Sequence, residues 1–248
     1  MSNLVLESKL PENFEVFTDR VIDRGWVGEA ENNKRPIVGG VSPAEAHTLA
    51  SIILQNNCTK SLETGVANGI STLAITQAIA QNNGHHHGID PCQFTNHQGV
   101  ALTLLQEHDL LSRFTLHEGP THLEAPKLLN NPEKFDFIFI DGMHKFDYKF
   151  IDFFYADQLL EVGKFMVFHD LLLPSVKKLH RLIERSYNYE IFQTDYQQPS
   201  FARKAKYTIA AMLKRKPYWY TWPNHYRNLL VLRKTAETEH PWNYFVNF

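Results

Sequence analysis

Ser61-Leu62-Glu63-Thr64-Gly65-Val66-Ala67-Asn68-Gly69-Ile70-Ser71-Thr72-Leu73 reads as the end of a strand, a tight turn and the start of a helix. The strand ends at Glu63, the turn runs through Gly65, Ala67 and Gly69, and the helix begins near Ser71 and continues through Leu73, Ile75 and Ile79. Small residues at alternate positions let backbone approach a ligand, and the Ser71 and Thr72 hydroxyls are placed to cap the first free helix amides. A dinucleotide-binding turn has the spacing Gly-x-Gly-x-x-Gly, whose third glycine lets helix and strand pack closely; the matching positions are Gly65, Ala67 and Ile70. Ile70 is wrong for that fit. Glu63, two residues before the first glycine, repels a pyrophosphate and attracts an ammonium or sulfonium group. The turn therefore favours a cationic ligand, with an ordinary strand-to-helix turn as the plain alternative.

Outward from this stretch, strands and helices alternate. Upstream, Ser42-Pro43-Ala44-Glu45 has the form of a helix start, with Ser42 as cap, proline at the first helical position and a glutamate in the first turn. That helix runs to about Gln55, and a shorter one is expected between Pro11 and Arg24, with Phe14, Phe17, Val21 and Ile22 inward. Downstream, a second strand ends at Gly88-Ile89-Asp90, a third is Phe114-Thr115-Leu116-His117, and the apolar run Phe135-Asp136-Phe137-Ile138-Phe139-Ile140 is a doubly buried central strand. A fifth, Phe165-Met166-Val167-Phe168, ends in His169-Asp170, and Tyr189–Thr194 and Asn228–Arg233 complete the sheet. The expectation is an α/β fold, Rossmann-like, with a seven-stranded mostly parallel sheet and helices on both faces. Residues 1–41 are read as an amino-terminal cap segment and 42–248 as the main domain.

Ligands of such sheets bind at the carboxyl ends of the strands. Glu63, Asp90, Glu118, Asp141 with His144, and His169 with Asp170 stand at five consecutive strand ends, a polar crescent that the fold does not need for stability. By contrast, the adjacent histidines His85, His86 and His87 are read as a solvated turn before the second strand.

The Glu-x-Gly-x-x-x-Gly-x-Ser stretch resembles the first motif of class I methyltransferases that use S-adenosylmethionine. Phe135–His144 and the later Val162-Gly163-Lys164-Phe165-Met166-Val167-Phe168-His169-Asp170 extend the resemblance to the small-molecule O-methyltransferase group of cephalosporin-hydroxylase and macrolide-sugar type. The resemblance spans roughly Ser42 to Arg233. It implies that Gly65, Ala67, Gly69 and Ser71 border the methionine part of the cofactor with Glu63 and Asp141, that Asp90 holds the ribose hydroxyls, and that Glu118 and Gly119 border the adenine.

Asp141, His169 and Asp170 match positions that bind a divalent cation in the metal-dependent branch of that group. A histidine among them suits zinc, iron or manganese better than magnesium, so magnesium on the two acids, a softer metal on His169 and no metal all stay open. The resemblance also implies methyl transfer, an in-line displacement in which a base removes the acceptor proton. Asp141, His144 and His169 are the catalytic candidates, either histidine serving as the base. The plain alternatives are that each histidine pins its own loop. An RNA methyltransferase and an NAD-binding oxidoreductase are the rival readings.

Composition narrows the setting. The 248 residues carry 25 basic and 27 acidic side chains, a formal charge of −2, so no global field draws the chain to nucleic acid or anionic lipid. The one locally basic region is an insertion at 201–227, in which Arg203, Lys204, Lys206, Lys214, Arg215, Lys216 and Arg227 interleave with aromatic residues. It reads equally as a substrate lid and as a helix with an aromatic loop packed on the domain. Cys58 and Cys92 lack metal-ligand spacing and are read as reduced thiols. No signal-peptide pattern and no run of 18 apolar residues is found, so a cytoplasmic protein with a small-molecule partner and no membrane is expected, with a homo-oligomer left open.

Overall fold

The computed structural model describes residues 4–6, 9–27, 35–36, 40–130, 134–194 and 228–248. The expected insertion at 201–227 lies outside the described residues. The strands are β1 (Leu4–Leu6), β2 (Trp26–Val27), β3 (Arg35–Pro36), β4 (Lys60–Thr64), β5 (His85–Ile89), β6 (Phe114–His117), β7 (Phe135–Ile140), β8 (Leu160–Phe168), β9 (Tyr189–Thr194) and β10 (Leu230–Lys234). The helices are α1 (Phe17–Arg24), α2 (Pro43–Gln55), α3 (Ile70–Gln81), α4 (Val100–Glu107), α5 (Thr121–Leu128), α6 (Phe146–Leu159) and α7 (Pro174–Ser186).

β7 is buried at every residue, as its unbroken apolar run requires. Side chains alternate across it: Phe137 and Phe139 join a core with α2, α3 and α4, and Ile138 and Ile140 join a second core with α6 and α7. The sheet order is β1-β9-β10-β8-β7-β4-β5-β6, parallel throughout except for β10, which runs antiparallel to both neighbours. From β4 the chain builds outward through β5 to β6 and then returns to the other side of β4 as β7. That reversal puts the crevice for a ligand at the carboxyl ends of β4 and β7.

The seven expected strands are present, and an eighth, the three-residue β1, pairs with β9 at the sheet edge. Three residues are too few for a periodic signal. The expected capping box is present: Ser42 Oγ accepts from the Glu45 N–H, and Glu45 Oε2 accepts from the Ser42 N–H at 2.7 Å. The helix expected from Pro11 begins only at Phe17, whose N–H donates to the Gln77 side chain at 2.9 Å. A long-range partner for the first free amide ends the helix there. Val16, Val21 and Val27 are buried in the same core as α2 and α3.

The solvated turn expected at His85–His87 is corrected: all three residues lie in β5, paired with Lys60–Leu62 of β4, and His86 and His87 also pair with Phe114 and Thr115 of β6. Cross-strand pairing overrides the local polarity. His86 is fully buried, its Nδ1 2.8 Å from Ser61 Oγ. The carboxyl-terminal tail docks on α6 and α7 through Phe248, stacked near Phe146, and through the Lys178 Nζ bond to the Phe248 carbonyl. Trp242 and Phe245 remain exposed. Both cysteines are free, and burial, with Asp136 nearby, pushes the Cys58 thiol up to about 12. Among the described residues, no helix is long and apolar enough to cross a membrane.

Candidate active site

A cleft of about 330 Å³ opens at the carboxyl ends of β4 and β7. One wall is the turn from Gly65 to Ser71; the other is formed by Asp141, His144, His169 and Asp170, with Gly40 at the rim. Two glycines of the turn are dictated by packing. Gly65 has φ +86°, and a Cβ there would lie 2.5 Å from the Asp141 carbonyl; one at Gly69 would lie 2.7 Å from Ala101 Cβ. Ala67 adopts the left-handed region at φ +47° without that freedom.

Glu63 stands behind this turn, and its expected approach to a ligand is corrected. It is fully buried, Oε1 accepts from Ser71 Oγ, Oε2 accepts from Thr72 Oγ1 at 2.6 Å, and His86 Nε2 lies 3.4 Å from Oε2. The two hydroxyls expected to cap α3 are thus spent on Glu63, and Gly69 starts the helix with no side-chain cap. Ser71 still borders the cleft by position.

The reading of Asp90 as a free acceptor for hydroxyls is likewise corrected. It is buried, Oδ2 accepts from the N–H groups of Val66 at 2.9 Å and Ala67 at 2.8 Å, and Oδ1 accepts from that of Cys92 at 2.7 Å. A carboxylate offers about four lone-pair sites, so at most about one remains. Gln93 reinforces the turn, donating to the Ala67 carbonyl at 3.0 Å. Among the described residues, Glu118 and Gly119 do not line this cleft; Glu118 is exposed beyond β6, and Gly119 packs toward the Glu124 side chain.

The other wall is built on a histidine. His169 Nδ1 lies 3.2 Å from Asp141 Oδ1 and 3.6 Å from Asp170 Oδ1, and its Nε2 lies 3.4 Å from Glu45 Oε1. Asp141 Oδ1 and Glu45 Oε1 are buried with no other hydrogen-bond partner, so the imidazole is the group that compensates them. Burial alone would lower the His169 pKa, but Asp141, with Asp170 and Glu45, reverses this and holds it well above the usual histidine value. With Asp141 and Asp170 facing Nδ1 and Glu45 facing Nε2, the His169 ring is committed to the acids around it in this arrangement.

Glu45 was legible in the sequence only as part of a capping box; what it faces across the cleft was not. Asn228, two residues before β10, donates to Asp170 Oδ1 at 3.2 Å, with its amide nitrogen also 3.3 Å from His169 Nε2, and was also missed as a site residue. Asp170 itself has φ +62°, and despite burial its carboxyl is held well below the usual range by His169, His144 and Asn228. His144 is the exposed member of the cluster, 55% accessible, with Nδ1 3.2 Å from Asp170 Oδ2. Beneath the turn after β7, buried Lys149 donates to the Ile140 carbonyl at 3.3 Å, and Thr64 donates to buried Asp152 at 3.2 Å.

Asp141, His144 and Asp170 each offer a ligand atom, all within 4.8 Å of one another. Two carboxylate oxygens and one imidazole form a donor set for manganese, iron or zinc more than for magnesium.

A family model described as a methyltransferase domain matches residues 62–171, the span from β4 to just past β8. No curated protein sequence matches the chain. Among solved structures, the O-methyltransferase TomG of Streptomyces achromogenes, involved in tomaymycin synthesis and bound to S-adenosylmethionine, is 18% identical with a TM-score of 0.60, over 79% of this chain and 82% of that one. An O-methyltransferase of Bacillus cereus bound to S-adenosylhomocysteine is also 18% identical, with a TM-score of 0.60 over 74% and 86%. A methyltransferase of Podospora anserina bound to S-adenosylhomocysteine is 15% identical, with a TM-score of 0.55 over 93% of this chain and 100% of that one. The fold is that of class I methyltransferases, and the resemblance to that class read from the sequence is borne out.

Proposed function

We propose that this chain, class I methyltransferase in fold and methyltransferase domain over residues 62–171, transfers the methyl group of S-adenosylmethionine to a hydroxyl of a small molecule. The observation that carries the hydroxyl acceptor is the pair His144 and Asp170 at the open side of the cleft that the turn 65–71 closes on its other side. When bound, S-adenosylmethionine supplies an electrophilic methyl on a sulfonium. The chain's own residues must hold that group in line with the acceptor and take up one proton.

Gly65, Ala67 and Gly69 bring backbone close to the ligand, and Asp90 holds this turn in shape from below. Asp141, at the end of β7, sets a negative group beside the cleft and suits a sulfonium or ammonium. With its Nδ1 directed at Asp170, His144 keeps Nε2 to accept the proton of the acceptor hydroxyl as oxygen attacks carbon. Asp170, held ionised by His169, then stabilises the charge that His144 takes on. His169 acts as a fixed cation that keeps Glu45, Asp141 and Asp170 from repelling one another.

A second reading rests on the proximity of the ligand atoms of Asp141, His144 and Asp170. These residues would hold a divalent ion, which would supply Lewis acidity toward the acceptor hydroxyl. Chelation followed by calorimetry and assay separates the two readings: the His144 base reading expects no loss of turnover, whereas the metal reading expects loss restored by manganese or zinc.

Titration of the protein with S-adenosylhomocysteine, with NAD as control, tests the cofactor. Micromolar affinity, about −8 kcal/mol, is expected for the former and none for NAD. Transfer of labelled methyl to hydroxylated acceptors, with the matching amines as controls, tests the acceptor class; transfer to amines alone would overturn it.

A further inference from the structure

We propose that His86 is a positioning residue for cofactor binding: from within the sheet it fixes Glu63, and through Glu63 the end of the turn that borders the cleft. The inference rests on the reading above, in which the turn from Gly65 to Ser71 borders the methionine part of S-adenosylmethionine. His86 lies in β5 opposite Ser61 of β4, and Gly88 lies opposite Glu63. Side chains two apart on a strand share a face, so Ser61 and Glu63 point to the same side of the sheet. That is the side of α2 and α3: the His86 ring packs against Phe114 of their core, 5.4 Å between centroids, whereas Leu62 belongs to the core on the other side.

Ser61, Glu63 and His86 are all fully buried. Glu63 accepts from the Ser71 and Thr72 hydroxyls, and His86 Nε2 is 3.4 Å from its Oε2. A carboxylate only accepts, so the ring nitrogen that faces it carries the hydrogen. Nδ1, 2.8 Å from Ser61 Oγ, then accepts the Ser61 hydroxyl hydrogen. Ser61 thereby sets the tautomer and plane of the ring, and the ring sets the plane of the carboxylate. Of these three donors to Glu63, Ser71 and Thr72 belong to the first turn of α3, and His86 belongs to the sheet.

β5 therefore holds the turn at both ends. Asp90, just beyond its last residue, accepts from the N–H groups of Val66 and Ala67 at the start of the turn, and His86 acts through Glu63 on Ser71 at its end. Between them, a Cβ at Gly88 would lie 2.6 Å from Val66 Cγ2, so the strand also supports the turn by direct contact. An apolar side chain at position 86 would pack against Phe114 and need no partner; the imidazole is called for by the groups at its two nitrogens. Loss of its donor leaves a buried charged oxygen with one bond fewer, and the carboxylate turns to compensate. Ser71, which lines the cleft, moves with it. The consequence falls on the amino-acid end of the ligand more than on the nucleoside.

Calorimetric titration with S-adenosylhomocysteine and with methylthioadenosine, which lacks the amino-acid end, tests this role. His86→Leu should weaken S-adenosylhomocysteine about tenfold and methylthioadenosine by less than about twofold. His86→Gln, which keeps an N–H donor toward Glu63, should restore S-adenosylhomocysteine affinity to within about threefold of wild type. Ser61→Ala should weaken the same ligand about threefold and stands in where His86→Leu does not fold. Nitrogen chemical shifts of the ring in the ligand-free wild type should report hydrogen on Nε2 and none on Nδ1. Equal losses for both ligands, a glutamine variant no better than leucine, indifference to both His86→Leu and Ser61→Ala, or hydrogen on Nδ1 in place of Nε2 would each overturn this proposal alone. Absence of S-adenosylhomocysteine binding by the wild type would overturn the cofactor reading, and this proposal with it.

Discussion

The Asp90 carboxylate accepts the backbone N–H of Ala67 at 2.8 Å, so the acid that ends one strand sets the shape of the turn that follows its neighbour. The same side chain holds Val66 and Cys92. Asp90→Asn puts an amide N–H against at least one of these donors. Hydrogen bonds to a charged group contribute about 1.5–3 kcal/mol each and a domain of this size loses about 2–4 °C per kcal/mol, so a Tm lower by roughly 5–10 °C is expected. A ligand-free Tm equal to wild type, with S-adenosylhomocysteine affinity reduced, would instead make Asp90 a direct ligand group.

Substitutions in the turn should split by position. Gly65→Ala drives a Cβ to 2.5 Å from the Asp141 carbonyl at φ +86° and should cost several kcal/mol or prevent folding. Ala67→Gly removes a left-handed alanine, which costs about 1–2 kcal/mol to hold, and should leave stability equal or raise it slightly. Denaturant midpoints of the two variants check the contrast.

For the acceptor step, His144→Asn should lower kcat by about 10²–10⁴ while leaving S-adenosylhomocysteine affinity within twofold of wild type. Equal losses in both would mean that His144 holds the cofactor and is not the base.

Glu45→Gln keeps the capping geometry, since a glutamine still accepts from the Ser42 N–H, but removes one of the charges facing His169. Breaking a buried pair costs about 3 kcal/mol. A stability unchanged by this substitution, read from chemical denaturation, would show that Glu45 serves only as a cap.

Acid sensitivity should trace to β5. His87 is lowered to about 3 in the folded protein, so between the ordinary histidine range and that value the unfolded chain binds a proton that the folded one refuses. Stability is then full above about pH 6.5 and falls as pH decreases toward 3. His87→Asn should flatten the dependence of Tm on pH across that interval, compared with wild type.

Local pattern carried the architecture. The apolar run Phe135–Ile140, the Ser42-Pro43 helix start and the polar residues closing successive strands are each visible within a few positions, because burial period and capping are local properties. They were enough for the α/β class, the parallel sheet and the placing of Asp141, His144 and Asp170 at one edge. The roles within that edge were not legible, since they depend on which groups meet across the chain.

From the sequence alone, the order of strands and helices and the general location of the cleft were determined, since hydrophobic spacing specifies which faces must be covered and strand polarity specifies which end receives a ligand. Only the tertiary structure decided that Glu63 and Asp90 turn inward to hold the loop, that His85–His87 form a strand, and that His169 faces Glu45 and Asp141 while His144 stays open. Residue 45 meets 169 and residue 63 meets 72 and 86 only after the sheet has closed, and a buried charge takes its role from those partners.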